Sequence, residues 1–262
     1  MNARAFLVRG LLAGLLAGFA TFAVAFVIGE PYVDRAIAIE ESTAAGTDHH
    51  VDADGAALPH SHDHETAVVS RQDQSTWGLA TGTVTIGVTV GGVLGLVAAS
   101  VMGRVGRLSP GTSTVVVGVV GYVSAVLVPF VKYPATPPAV GSGETIGQRT
   151  ALYFTFLLIS VAAAVVCSII AAKVLDTRGV QGAVLTGAGV YLAVVVAAGA
   201  LMPTVDEIGD FPADVLWDFR LASVITLTAL WAMTTIVLTA LIRRLHAEQS
   251  KVQARRHFAA SL

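Results

Sequence analysis

Six long apolar runs punctuate this chain of 262 residues, at 7–28, 77–102, 112–131, 151–175, 180–202 and 221–242. Each is long enough to cross a hydrocarbon core about 30 Å thick, which takes about 20 helical residues. Only Arg9 and Lys173 are charged within these limits, and both lie near the end of a run, where a long side chain reaches the headgroups. None of the runs alternates with the period of two that a membrane barrel needs. In lipid the backbone polar groups must then be satisfied within each segment, and a helix does that. Composition agrees, with 54% hydrophobic and 13% charged residues, where soluble domains carry about 25% charged. The expected fold is an all-α integral membrane protein, a six-helix transmembrane bundle making one membrane domain of residues 1–262.

The connections sort by charge. Arg4, Arg9, Arg104, Arg107, Lys173, Arg178, Arg243, Arg244, Lys251, Arg255 and Arg256 fall on one side, with Asp176 and Glu248 as its only acids. Arg35, Arg71, Lys132, Arg149 and Arg220 fall on the other, with the remaining acids. The positive-inside rule therefore puts both termini in the cytoplasm, in agreement with an even number of spans, which leaves both ends on one side. Arg4, Arg9 and Ala23-Val24-Ala25 also resemble parts of a cleavable signal. The first run is longer than the usual signal core of about 7–15 residues, so it is expected to stay as a span.

Within the spans, Gly10, Gly14 and Gly18 repeat every four residues, as do Gly78 and Gly82, then Gly87, Gly91 and Gly95. Such stripes let helix backbones approach closely, which drives association where no hydrophobic effect operates between helices. Thr81, Thr85 and Thr89 make a further stripe, which fits either a polar lining or hydroxyls bonded back to their own helix. No Asp, Glu, His, Lys or Arg lies mid-span, so a pump or protease built on buried acids is disfavoured. Cys167, Met102, Met202 and Met233 are scattered over four spans and read as packing residues. The single cysteine leaves no disulfide framework, and no GxxxxGK[ST] run is present. The net charge of −2 argues against a nucleic-acid partner.

The external connections hold the chemistry. The first, residues 29–76, is expected to be a mobile His-rich loop. It carries His49, His50, His60, His62 and His64, five of the seven histidines. Imidazole suits cobalt, nickel and zinc ions, and a short His-x-His-x-His tract closes around one ion without a folded scaffold. Asp63 adds an oxygen ligand, and the neighbouring acids add a field that concentrates cations. Glu30, Glu144, Asp206 and Glu207 are further candidate ligands near the external mouth. Asp206, Glu207, Asp210, Asp214 and Asp218 fit a cation entry as well as an ordinary solvated face. Pro129, Pro134, Pro137 and Pro138 stiffen the third connection, and Trp77 and Trp217 mark the outer interface. No tightly bound cofactor is expected, only transient divalent metal.

Residues 132–141, Lys-Tyr-Pro-Ala-Thr-Pro-Pro-Ala-Val-Gly, with Glu144-Thr145-Ile146-Gly147 and Arg149-Thr150, resemble the signature of the CbtA family of probable cobalt transporter subunits. Trp217-Asp218-Phe219-Arg220-Leu221-Ala222-Ser223, leading to Leu230-Trp231, extends the resemblance, as does a first span followed by a His-rich loop. The resemblance implies cobalt uptake across the inner membrane of a prokaryote that makes or uses cobalamin. It also implies a small one-span partner with its own histidine-rich tail.

Two function classes follow. One is a subunit of a divalent-metal uptake transporter, most readily for cobalt, with the external His and acidic loop collecting the ion. The other is a non-transporting scaffold, or a metal-buffering subunit of another permease. No nucleophile–base pair stands out, so an enzyme is not expected.

Overall fold

The computed structural model describes residues 2–47, 69–103 and 108–261. All regular structure among the described residues is helical. Helix α1 (Ala3–Val24) passes through a π-helical turn, Ala25–Gly29, into α2 (Glu30–Thr47). The short α3 (Arg71–Asp73) leads through a second π-turn, Gln74–Gly78, into α4 (Leu79–Val101). Helix α5 (Pro110–Tyr122) continues through a third, Val123–Leu127, into α6 (Val128–Lys132). A 3₁₀ turn, Gly143–Thr145, precedes α7 (Ile146–Leu201), and α8 (Ala213–Ala260) follows. Five of these helical stretches are long and apolar enough to cross a membrane: Ala3–Thr43, Arg71–Val101, Pro110–Lys132, Gly143–Leu201 and Ala213–Ala260.

Local chemistry explains several starts and stops. Ser70 and Ser109 cap their helices by accepting from Asp73 N at 3.1 Å and Thr112 N at 3.2 Å. Pro110 follows Ser109 at the first helical position, where its missing N–H costs nothing. Where the sequence suggests a loop from residue 29 onward, the helix continues as far as Thr47. Residues 30–47 interleave Glu30, Asp34, Glu40 and Glu41 with Ala and Ile, a mixture that supports a polar helix without making an apolar run.

Helices α1 and α4 run antiparallel, in contact along most of their length. A Cβ built on Gly10 would lie 2.2 Å from the Gly91 carbonyl oxygen, and one on Gly95 2.7 Å from that of Phe6. The two glycine stripes are thus a backbone-to-backbone seam, as the four-residue spacing suggests. Gly82 is outside it, with nothing within 4 Å. On the face of α4 away from the seam, Thr89 donates to the Thr85 carbonyl at 2.8 Å, the local back-bond of the two readings. Helix α8 packs on α1 and α5. Gly118 and Gly121 make room there for Thr235 and Trp231, and the Tyr122 and Thr228 hydroxyls meet at 2.7 Å. These four helices close around Phe6, Ala13, Leu94, Ala98, Val117, Leu238 and Ile242. Phe19, Ile86, Val119 and Leu158, each more than half exposed, face outward. An apolar surface of this extent belongs in lipid.

Helix α7 is bent rather than straight. Gly179 has φ 67°, a left-handed value that breaks the helix between Arg178 and Val180. The two arms fold back on each other. The Ser160 and Tyr191 hydroxyls meet at 2.8 Å, and Gly187 lies against Ala171 and the Cys167 carbonyl. Cys167 is buried between them, the packing role its sequence context suggests.

Candidate functional site

The end of the bundle away from Gly179 is tied together by the proline-bearing segment. Pro134, Pro137 and Pro138 prevent the helix from continuing beyond Lys132, and the chain crosses over the bundle end. Lys132 Nζ donates to the Met202 carbonyl at 3.2 Å, and Tyr133 Oη donates to the Pro203 carbonyl at 2.7 Å. The Tyr133 ring meets Phe156 edge-on, with centroids 5.9 Å apart, and its burial pushes the phenol pKa up. Arg220 Nε reaches the Ala135 carbonyl at 3.4 Å, joining α8 to the same segment.

Arg149, on the first turn of α7, lies beneath this segment. Its Nη1 donates to the Val140 carbonyl and its Nη2 to the Ser142 carbonyl, both at 3.4 Å. Its Nε stands 3.5 Å from Glu207 Oε2. Gly141 has φ 90°, a left-handed value that favours glycine, and the Arg149 guanidinium packs directly over it. The same Glu207 oxygen accepts from Thr145 Oγ1 at 2.7 Å and from Ser142 N at 3.4 Å. Glu207 therefore joins the two ends of the α7 hairpin, with its charge partly met by the guanidinium. This constellation draws residues 132–149 and 202–220 together into a cap over this end of the bundle, and these stretches carry most of the motif noted in the sequence.

The model of a protein family described as "Probable cobalt transporter subunit (CbtA)" matches residues 3–243. The chain belongs to the CbtA family. No curated protein and no solved structure matches it. The CbtA match takes in all of the described bundle from α1 into α8, the cap and every candidate ligand residue.

Within this CbtA protein the ten candidate ligands fall in different places. His49, His50, His60, His62, His64 and Asp63 lie outside the described residues. Glu30, at the start of α2, pairs with Arg71, which also contacts Asp34 at 2.8 Å. Glu144 and Asp206 are exposed near the cap, and Glu207 is engaged as described. Among the described residues no group of three or more His, Cys, Asp or Glu is placed to hold a metal ion. The residues that sequence reasoning passed over are Arg71 and Arg149, the partners of two candidate ligands. Their signal was visible: they are two of only five basic residues on the acid-rich side.

Proposed function

We propose that this chain is the membrane subunit through which a divalent metal ion, cobalt, enters a prokaryotic cell across its inner membrane. The observation that carries the reading is the CbtA match over residues 3–243, on a chain whose helices present apolar faces outward. The break at Gly179 and the contact between the two arms support counting Gly143–Leu201 as two passes. That makes six spans with both termini cytoplasmic, in keeping with the distribution of Lys and Arg. The cap is then external.

In this reading the external histidines and Asp63 gather the ion, and Glu144 and Asp206 extend the negative field at the mouth. Glu30 and Glu207 already hold arginines, so either would have to leave its partner to take a metal. A small one-span His-rich partner fits the word subunit in the family description. The metal is cargo, and the chain is not a catalyst. Cobalt uptake measured in cells with and without the chain, each with and without the neighbouring small partner, tests the reading. Uptake that depends on the chain supports it. Unchanged uptake when the chain is removed overturns it in favour of a scaffold or metal buffer.

A further inference from the structure

Two parts of the molecule are held together in different ways. The body formed by α1, α4, α5 and α8 has its core of Phe6, Ala98 and Ile242 at the end away from the cap. The α7 hairpin meets the rest mainly at the cap end, through α6 and the π-turn Val123–Leu127. Among the described residues, its interhelical hydrogen bonds to other elements lie in the same half. Ser160 Oγ donates to the Ser124 carbonyl at 2.7 Å, and the Lys132 and Tyr133 side chains hold the Met202 and Pro203 carbonyls. Pro129 accounts for part of this arrangement. It has no N–H to offer a carbonyl one turn back, and Ser124, five residues earlier across the π-turn, bonds to Ser160 instead.

The other half of the hairpin is buried against itself. Gly187 packs on Ala171 and Cys167 of the opposite arm, while Val165, Ile169, Val184 and Leu185 are all more than half exposed. In lipid, helices are held by close packing and interhelical hydrogen bonds. A helix pair with those contacts at one end has its least costly motion about that end.

We propose that the α7 hairpin is the moving part of this protein. It pivots on its cap end, and the half bearing Gly179 swings against a fixed α1–α4–α5–α8 body to open and close a passage on the cytoplasmic side. What the swing serves rests on the transport reading above, but the swing itself does not.

Spin-label distances on the full chain in lipid nanodiscs test it, in a Cys167→Ala background. One label pair replaces Val131 and Leu201 near the cap, and a second replaces Val116 and Val184 near the other end. All four positions are at least 40% exposed, so the labels displace no core side chain. The cap pair should give one narrow distance distribution. The distant pair should be about twofold broader or two-peaked, as a hinge moving on the microsecond-to-millisecond scale leaves when frozen. Equally narrow distributions would overturn the proposal, and so would equally broad ones, which mean a hairpin loose at both ends. A two-peaked distant pair in a chain that adds no cobalt uptake would sink the transport reading and leave the pivot standing. Narrow pairs in a chain that does support uptake would sink the pivot alone.

Discussion

Gly14 and Gly87 face each other across the α1–α4 seam so closely that a Cβ on Gly14 would lie 2.0 Å from the Gly87 carbonyl oxygen. The neighbouring atoms are backbone, which cannot rotate away as a side chain would. Gly14→Leu or Gly91→Leu should therefore force the helices apart and lower the maximal rate of metal uptake. Even Gly91→Ala should cost about 1–3 kcal/mol of stability, the usual scale of overpacking. Gly82→Ala, at a position open to 4 Å, serves as the control and should change stability by no more than about 0.5 kcal/mol. Thermal unfolding in one detergent compares them.

Arg149 and Glu207 make the second test. Each side chain is less than a third exposed, and the pair sits among hydrogen bonds from Thr145 and Ser142. Arg149→Lys cannot hold the Val140 and Ser142 carbonyls while reaching Glu207, because an ammonium lacks the guanidinium fork. A loss of about 1.5–3 kcal/mol is expected, the range for hydrogen bonds to charged groups. Glu207→Gln retains an acceptor for Thr145 and should lose less. A larger loss for Glu207→Gln than for Arg149→Lys, measured by chemical or thermal unfolding, would contradict this ordering.

The third test concerns orientation. Cysteines replacing Ser61 or Ser142 should react with a membrane-impermeant thiol reagent added outside intact cells. A cysteine replacing Ser250, exposed on the far extension of α8, should not. Buried Cys167 should stay silent in the parent chain. Labelling at Ser250 in intact cells would reverse the topology.

The fourth test addresses the histidines. Replacing His49, His50, His60, His62 and His64 together by alanine should raise the half-saturating cobalt concentration and leave the maximal rate nearly intact. A tight site in that segment would trap the ion, so a collecting role calls for weak binding. Collection should also fade as pH falls through about 6.5, because protonated imidazole cannot ligate a metal. Uptake kinetics decide this, and loss of the maximal rate at saturating cobalt would put the histidines in the path itself.

The parts of the fold legible in the sequence are those written in local periodicity. Long apolar runs mark the spans, and the spacing of Gly10, Gly14, Gly18, Gly87, Gly91 and Gly95 marks the seam. The break between 151–175 and 180–202 is visible in the charges around Gly179. The helix of residues 30–47 was not legible, because its mixed composition carries no apolar stripe. Arg71 with Glu30 and Arg149 with Glu207 pair across 41 and 58 residues, and no local pattern encodes a partner at such distance. The π-turns escaped for a related reason, since one extra residue in a turn leaves the composition unchanged.

A helix whose mating surface is bare backbone has to wait for its mate. On the ribosome Gly10 is made some 85 residues before Gly95, which at about 5–20 residues per second is roughly 4–17 s. During that interval α1 sits in the bilayer with its own hydrogen bonds made but its glycine face uncovered. Residues 48–68 are synthesised in the same interval, before the seam closes. The order of biosynthesis therefore obliges the insertion machinery to keep an unpaired, glycine-faced helix from mating with the wrong neighbour until α4 arrives.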